Sequence, residues 1–293
     1  MSSQSNENIN SFESDFLFDP QVGLLALKGQ ALVLMRHLDS LFLQWATEVN
    51  AMEYAFPPLL SVSSMNLVDY FSSFPHLATL TSQIDASDNG IQKFVEANKN
   101  VDLSEIKPDY LDSARYVVPS AACYAVYNHF RNQQLSNNLY ITVCCSCSRH
   151  EDYYKAGERQ WVFNMREIVC LGQKDAVKAF LDFYQNLISS KLQAANFPFK
   201  LAEATDPFFN RRDPRLLMQR LEPLKYEFLY RDQLAISSVN FHRDFFGSRF
   251  GINSQDGEVA YSGCVAFGLE RWLSSCLQEY GQKLDDWPKV FQL

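Results

Sequence analysis

The stretch that decides the fold runs from Arg149 to Phe163 and reads Arg-His-Glu-Asp-Tyr-Tyr-Lys-Ala-Gly-Glu-Arg-Gln-Trp-Val-Phe. A strand that ends at Arg149 and a second strand that leaves through Phe163 would form a hairpin with a polar loop. This hairpin would gather Arg149, Glu151, Arg159 and Phe163 around one nucleotide. Guanidinium groups suit bidentate contacts with phosphate, and an aromatic face suits a stacked purine. An exposed, charge-rich hairpin is the alternative that this stretch leaves open when it is taken alone.

A second stretch near the C-terminus has matching chemistry. It reads Cys264-Val-Ala-Phe-Gly-Leu-Glu-Arg271 and is followed by an apolar-periodic run from Trp272 to Leu277. Small residues at alternating positions let a backbone come close to a ligand, and a helix that begins after them would carry Arg271 into the site. We therefore interpret Arg149 and Arg271 as the two catalytic cations.

In this order, the two stretches resemble motifs 2 and 3 of the class II aminoacyl-tRNA synthetases, with Cys and Ala where Gly is usual in motif 3. A long helix predicted from Leu24 to Ala51, followed by a short strand and Pro57, resembles motif 1, which forms the dimer interface in that class. The resemblance implies an α+β fold, an antiparallel β-sheet flanked by helices, that binds ATP and Mg²⁺ and forms a homodimer.

Hydrophobic periodicity along the rest of the chain favours the same architecture. The predicted strands come in clusters and not in regular βαβ alternation, which is typical of an antiparallel sheet. An amphipathic helix is predicted over 173–194, an irregular aromatic region over 64–81, and a loop with a short helix over 85–107. The predicted strands cover residues 116–118, 139–144, 161–171, 225–230, 234–238 and 258–267.

Composition bounds the compartment and the domain organisation. Seven Cys, an odd number without framework spacing, fit a reducing compartment, so we expect a cytoplasmic protein. The first 15 residues are rich in Ser and Asn and predict a flexible tail, which leaves 16–293 as one catalytic domain. No apolar run approaches the about 18 residues of a transmembrane helix. The N-terminus does not resemble a secretory signal.

A candidate metal site comes from three residues that are far apart in sequence, Cys123, Glu167 and Cys264. Each can be placed on or beside a predicted strand of one sheet. Two thiolates and a carboxylate would bind Zn²⁺ and leave a fourth position open. Buried free Cys is also common as a small core side chain, whereas an unpaired carboxylate inside a strand is costly.

The rival metal site is the cluster Cys144-Cys145-x-Cys147. In a strand, Cys145 and Cys147 share one face and Cys144 takes the other, so we interpret these thiols as packing residues.

The metal trio resembles that of a narrower group, the atypical seryl-tRNA synthetases of methanogens and their short relatives, the amino acid:[carrier protein] ligases. Over roughly residues 50 to 290 the resemblance to the short relatives extends to Tyr70-Phe-Ser-Ser-Phe-Pro-His-Leu, Pro119-Ser-Ala-Ala-Cys-Tyr, Asp206-Pro-Phe-Phe and Asn240-Phe-His-Arg-Asp-Phe-Phe-Gly. It implies that Zn²⁺ on Cys123, Glu167 and Cys264 takes the amino group of the substrate. There are two departures. Ala235 stands where seryl-tRNA synthetases have a Glu that holds Mg²⁺. Ala122 stands where ordinary seryl enzymes have a Glu, which agrees with zinc taking over the amino group.

The resemblance implies that the chain activates a small amino acid with ATP as an aminoacyl-adenylate. The first hypothesis for the acceptor is the phosphopantetheine thiol of a holo carrier protein; the alternatives are a tRNA 3′ end and a non-catalytic paralogue. A net charge of −8 and the absence of any Lys/Arg run beyond two residues argue against tRNA, because phosphate neutralisation supplies much of nucleic-acid affinity. The candidate docking cations for an acidic carrier are Arg211, Arg212, Arg215 and Arg220.

Overall fold

The computed structural model describes residues 14 to 210 and 224 to 293. The strands are β1 (Phe16–Asp19), β2 (Leu24–Leu27), β3 (Met52–Tyr54), β4 (Leu60–Ser61), β5 (Thr79–Thr81), β6 (Tyr116–Val118), β7 (Leu139–Ser148), β8 (Val162–Gly172), β9 (Phe199–Glu203), β10 (Lys225–Tyr230), β11 (Leu234–Arg243) and β12 (Tyr261–Gly268). The helices are α1 (Gly29–Thr47), α2 (Val62–Leu67), α3 (Tyr70–Ser73), α4 (Asp88–Asn98), α5 (Cys123–His129), α6 (Lys174–Ala194), α7 (Phe245–Phe250) and α8 (Leu269–Tyr280).

Two sequence-based predictions concern segments beyond these ranges. The tail predicted over residues 1 to 15 lies outside the described residues except for its last two. The candidate docking cations Arg211, Arg212, Arg215 and Arg220 all lie outside them.

The centre of the described chain is a seven-stranded sheet in the order β3-β7-β8-β12-β11-β10-β9. Its neighbouring strands pair antiparallel, except that β3 pairs parallel with β7 at one edge. The tight turn between β10 and β11 is of the kind that joins antiparallel strands, whereas a parallel pair needs a long crossover. Such a crossover links β3 to β7, with α2 to α5 and the small sheet β4-β6-β5 along its length.

The two faces of the sheet bury different layers. On one face, α1, α6 and α8 enclose the larger hydrophobic core with sheet residues such as Ile168 and Phe267. On the other face, residues of α2, α5 and α7 pack on Val169 and Cys264. Because side chains alternate along a strand, Glu167, next to Ile168, points to the second face. The predicted α+β architecture, an antiparallel sheet flanked by helices, is confirmed.

The first part of the predicted motif 1 helix is a strand instead. Residues 24–27 alternate between exposed and half-buried and pair antiparallel with β1, so they follow the two-residue period of a strand. The helix then begins at Gly29, whose φ of 53° is a left-handed conformation that favours glycine. The region predicted as irregular over 64–81 holds the short helices α2 and α3 and the strand β5.

A buried arginine ties the motif 1 elements to the sheet. Arg166 of β8 lies with its Nε 2.6 Å from Asp39 of α1 and its Nη2 3.0 Å from Glu53 of β3. Its Nη1 donates to Thr142 of β7 at 3.2 Å. Only 3% of the Arg166 side chain is exposed, so these partners replace the water that the guanidinium loses on folding.

Two further observations concern the helices and the cysteines. None of the helices that the structure describes is long and apolar enough to cross a membrane. The seven cysteines, all within the described ranges, are free thiols.

Candidate active site with a metal-binding trio

The second face of the central sheet collects the site residues in two rows. In one row, Glu167 of β8 lies opposite Ala266 of β12, which lies opposite Ser238 of β11. In the neighbouring row, Cys264 of β12 lies opposite Asn240 of β11. Because register fixes which side chains share a face, Glu167 and Cys264 become diagonal neighbours on adjacent strands.

The structure brings the predicted trio Cys123, Glu167 and Cys264 together. Their candidate ligand atoms, two Sγ and a carboxylate oxygen, all lie within 4.8 Å of one another, and all three residues are buried. Cys123 is the first residue of α5, and the strand before it, β6, belongs to the three-stranded sheet. The sequence placed Cys123, like the other two, on or beside a strand of one sheet. The structure instead delivers it from a helix above that sheet.

The chemistry of the trio fits a soft divalent cation such as Zn²⁺. Burial raises the pKa of Glu167, and a hydrogen bond with Cys264, together with burial, raises the pKa of Cys123. The hydrogen bond from Cys123 lowers the pKa of Cys264, but burial and the Glu167 charge outweigh it and leave that pKa raised. A bound cation would stabilise all three anions, because burial disfavours the charged form of each.

Backbone donors hold the carboxylate of the trio in place. The Ala122 N–H donates to one Glu167 oxygen at 3.2 Å, and the Cys123 N–H donates to the other at 3.1 Å. A third contact concerns the Cys264 thiol, which lies 3.4 Å from the Asn240 amide nitrogen. Such outer contacts orient metal ligands in proteins.

The rival cysteine cluster is split between the two faces of the sheet, as the alternation predicts. The Cys145 and Cys147 thiols lie 3.7 Å apart and pack with Met165, whereas Cys144 packs against the core on the opposite face. Among the described residues, no potential metal cluster of three or more His, Cys, Asp or Glu side chains includes these cysteines.

The motif 2 hairpin forms the wall of an adjoining cavity. The turn between its strands contains Gly157, whose φ is 70°, and a Cβ there would lie 2.9 Å from Ser274 Cβ. A side chain would therefore be strained and crowded at this position. The Arg149 guanidinium lies over the Phe163 ring, 5.2 Å from its centroid, and its Nε donates to the Ser120 carbonyl at 3.0 Å.

The remaining predicted nucleotide residues line the same cavity, which we call the motif 2 cavity. Arg159 forms an ion pair with Glu151. The Arg271 Nε donates to the Glu158 carbonyl at 2.7 Å, and its Nη1 donates to the Ala235 carbonyl at 2.9 Å. Burial and the charges of two other arginines lower the pKa of Arg271 to about 10, so it remains protonated at neutral pH.

A second cavity of about 510 Å³ contains the trio and shares a wall with the motif 2 cavity. We call it the trio cavity. Arg149 lines both cavities. The half-buried cation therefore stands where a ligand in one cavity would meet a ligand in the other.

Comparisons with known proteins show the family of the chain. No protein-family model matches the chain. Over 244 residues it is 31% identical to amino acid–[acyl-carrier-protein] ligase 1 of Bradyrhizobium diazoefficiens, and the alignment covers 80% of this chain and 73% of that relative. The chain belongs to the amino acid–[acyl-carrier-protein] ligase family. The predicted family resemblance is confirmed.

This ligase-family chain also resembles longer proteins. It is 24% identical over 277 residues to the type-2 serine–tRNA ligase of Methanococcus maripaludis, covering 88% of this chain and 54% of that relative. The structure of M. kandleri SerRS in complex with A. aeolicus tRNASec matches with a TM-score of 0.83 at 18% identity, covering 96% of this chain and 58% of the other. The fold is that of a class II synthetase catalytic domain.

Sequence reasoning missed three residues at the shared wall of this ligase-family site. The Lys225 Nζ lies 3.2 Å from both Asp206 Oδ1 and Glu227 Oε1. Lys225 lines both cavities, while Asp206 lines the trio cavity and Glu227 the motif 2 cavity. Strand β10 begins with Lys225-Tyr-Glu227. Because side chains alternate between the faces of a strand, the sequence did indicate that Lys225 and Glu227 share a face.

The histidines at positions 129, 150 and 242 differ in their surroundings. His129 and His150 are exposed. His242 contacts the Tyr127 hydroxyl through Nδ1 at 3.1 Å, and burial lowers the pKa of its ring to about 4. It is therefore neutral at physiological pH, and its Nε2 lies 3.7 Å from the Cys264 Sγ.

Proposed function

We propose that the chain activates an amino acid with ATP and transfers it to the phosphopantetheine thiol of a holo carrier protein. In the first step, a carboxylate oxygen of the amino acid attacks the α-phosphorus of ATP, and pyrophosphate leaves. In the second step, the thiolate attacks the acyl carbon of the adenylate, and AMP leaves. The observation that carries the proposal is the position of Arg149 on the wall shared by the two cavities.

The motif 2 cavity supports nucleotide binding by charge and shape. We assign Arg149 to the α-phosphate, Arg159 to the far phosphates and Phe163 to the adenine ring. Arg271 adds a third cation, and burial together with repulsion from the charges of Arg149 and Arg159 lowers its pKa. Mg²⁺-ATP would relieve that repulsion. Preorganised cations of this kind supply much of the catalysis when a nucleophile attacks a phosphate.

Glu151 is assigned to the amino group of adenine. In the structure the Glu151 carboxylate forms an ion pair with Arg159, and both side chains line the motif 2 cavity. Nucleotide binding would then exchange this ion pair for contacts with the base and the phosphates. Ala235 contributes its backbone carbonyl to Arg271 and offers no carboxylate to Mg²⁺.

We assign the trio Cys123, Glu167 and Cys264 to a Zn²⁺ ion, because two thiolates and one carboxylate are ligands of the kind that zinc accepts. A Zn²⁺ ion bound there would take the amino group of the amino acid in its open position. With the amino group fixed at the trio, the carboxylate of a small amino acid would point along the trio cavity toward Arg149. Such positioning makes the reaction between the two bound ligands effectively unimolecular.

Three properties favour a carrier protein over tRNA as the acceptor. The relative of B. diazoefficiens with 31% identity is named as an acyl-carrier-protein ligase. The net charge of −8 offers little attraction to a polyanionic acceptor stem. The trio cavity of about 510 Å³ is larger than a small amino acid needs, so it can also admit a narrow arm that carries a thiol.

A homodimer through the motif 1 elements is part of the same proposal. The apolar side chains of Val33 on α1 and Met52 on β3 are 53% and 63% exposed. Exposed apolar groups on adjoining elements suit a protein interface. Free thiols at all seven cysteines suit a reducing compartment such as the cytoplasm.

The activation step is tested by ATP–pyrophosphate exchange with each of the twenty amino acids. We expect exchange above background with a small amino acid such as glycine or alanine, because the trio would fix the amino group close to Arg149. Absence of exchange with every amino acid, in protein that carries its metal, would contradict the proposal and favour a non-catalytic paralogue.

A further inference from the structure

Lys225 lies in the same row of the sheet as Cys264, one member of the trio. It pairs with Asn240 on β11, and Asn240 pairs in turn with Cys264 on β12. Its side chain is only 18% exposed, and it lines both the motif 2 cavity and the trio cavity. A lysine is thus held inside the protein at the place where the two cavities meet.

The ammonium of Lys225 is fixed and charged. Asp206 and Glu227 each lie 3.2 Å from its Nζ and hold it from opposite cavities. Burial alone would lower the pKa of Lys225, but these two carboxylates raise it above its ordinary value, so the ammonium stays charged at neutral pH. A lysine ammonium has three N–H donors, and these two contacts account for two of them.

Lys225 and Arg149 also act on each other. Both residues line the motif 2 cavity and the trio cavity, and the charge of Arg149 opposes the raised pKa of Lys225. Among the described residues, no carboxylate forms an ion pair with Arg149, whose Nε donates to a backbone carbonyl. An anion that enters between these two cations would relieve their repulsion.

The reaction proposed above requires two anions to meet at this junction. The carboxylate of the amino acid must approach the α-phosphate of ATP closely enough to form a bond, and like charges at that distance repel strongly inside a protein. Arg149 is assigned to the phosphate. A charged hydrogen-bond donor on the side of the amino acid would orient the attacking oxygen.

We propose that Lys225, held between Asp206 and Glu227, is the subsite for the carboxylate of the amino acid. It binds one carboxylate oxygen by a charge-assisted hydrogen bond and leaves the other oxygen directed at the α-phosphate. This inference rests on the proposed activation step and adds a residue to it. The occupant is defined by chemistry, as an α-amino acid whose amino group lies at the trio and whose carboxylate lies at Lys225.

The test compares an amino acid with its amino alcohol, which keeps the amino group and side chain but lacks the carboxylate. The probes are the best amino acid of the exchange screen and its matching alcohol, for example alanine and alaninol, with alaninol measured as an inhibitor of exchange. The variants are Lys225→Met, which removes the charge at similar volume, and Lys225→Arg, which keeps it. Lys200→Met is the matched control, because Lys200 is an exposed residue of the neighbouring strand β9.

For Lys225→Met we expect the KM of the amino acid to rise roughly 10- to 100-fold, the loss associated with one charge-assisted hydrogen bond. The KM of ATP and the inhibition constant of alaninol should stay within about threefold of wild type, because neither ligand places a carboxylate at this position. Lys225→Arg should recover part of the loss, and Lys200→Met should behave as wild type.

Two results would overturn the inference. If Lys225→Met raises the inhibition constant of alaninol as much as the KM of alanine, the lysine only maintains the shape of the trio cavity. If the KM of the amino acid is unchanged while wild-type exchange is normal, the carboxylate binds elsewhere. Absence of exchange in the wild-type protein is a different outcome, because it overturns the activation step itself together with this subsite. Thermal unfolding of each variant shows whether a loss reflects a changed fold.

Discussion

Replacement of Arg149 by alanine should lower the rate of ATP–pyrophosphate exchange roughly 10²–10³-fold, the usual cost of removing a preorganised charge donor from an active site. Arg149 is half-buried, lines both cavities and lies over the Phe163 ring. Its charge is needed most when negative charge shifts onto the phosphates in the transition state. The rate of exchange at saturating amino acid and ATP, measured with the purified variant, gives the size of the loss.

The control for this variant is Arg131→Ala, since Arg131 is an exposed arginine that lines neither cavity. Arg131→Ala should leave exchange unchanged. Arg149→Ala should keep a cooperative unfolding transition, because the side chain lies at a cavity wall and its one described hydrogen bond, from Nε, is to the Ser120 carbonyl. Exchange with wild-type kinetics in Arg149→Ala would rule out the motif 2 assignment.

Replacement of Cys264 by serine should remove the bound metal, from about one Zn²⁺ per chain to a small fraction, because a thiolate of a three-residue site is lost. Its Sγ lies within 4.8 Å of the other two ligand atoms of the trio. Elemental analysis of purified protein measures the metal directly and does not depend on activity. Exchange should fall in parallel, because the amino group of the amino acid would lose its anchor.

Cys147→Ser is the matched control for the metal assignment. Cys147 is also a buried thiol beside the site, and it packs with Met165 next to Glu167. The Cys147→Ser variant should keep its Zn²⁺. The reverse pattern, with metal lost from Cys147→Ser and kept in Cys264→Ser, would move the site to the Cys144-Cys145-x-Cys147 cluster.

The local patterns of the sequence predicted most of the fold. Strands β7, β8 and β10 to β12 follow from runs of apolar and β-branched residues, and helix α6 follows from its amphipathic period. The motif 2 hairpin was recognised from the spacing of its charged residues together with the second stretch, Cys264 to Arg271. Such features are readable because their side chains repeat with the period of the local structure.

The parts that failed depend on tertiary contacts. Residues 24–27 are apolar enough for a helix, but pairing with β1 makes them a strand. Cys123 was expected beside the main sheet, and it opens α5 because β6 joins a separate small sheet. The bridge from Lys225 to Asp206 joins residues 19 apart in sequence, and no local pattern marks it.

Acceptor choice is the central claim, and one transfer assay tests it most directly. The chain is incubated with ATP, the labelled amino acid of the exchange screen, and one of three acceptors: holo carrier protein, the apo form of the same carrier, or bulk tRNA. The holo and apo carriers differ only in the phosphopantetheine arm. The apo form therefore controls for labelling that does not depend on the thiol. We predict label on the holo carrier as a hydroxylamine-sensitive thioester and none on the apo form. Efficient charging of bulk tRNA by this chain alone, with no label on the holo carrier, would contradict the account.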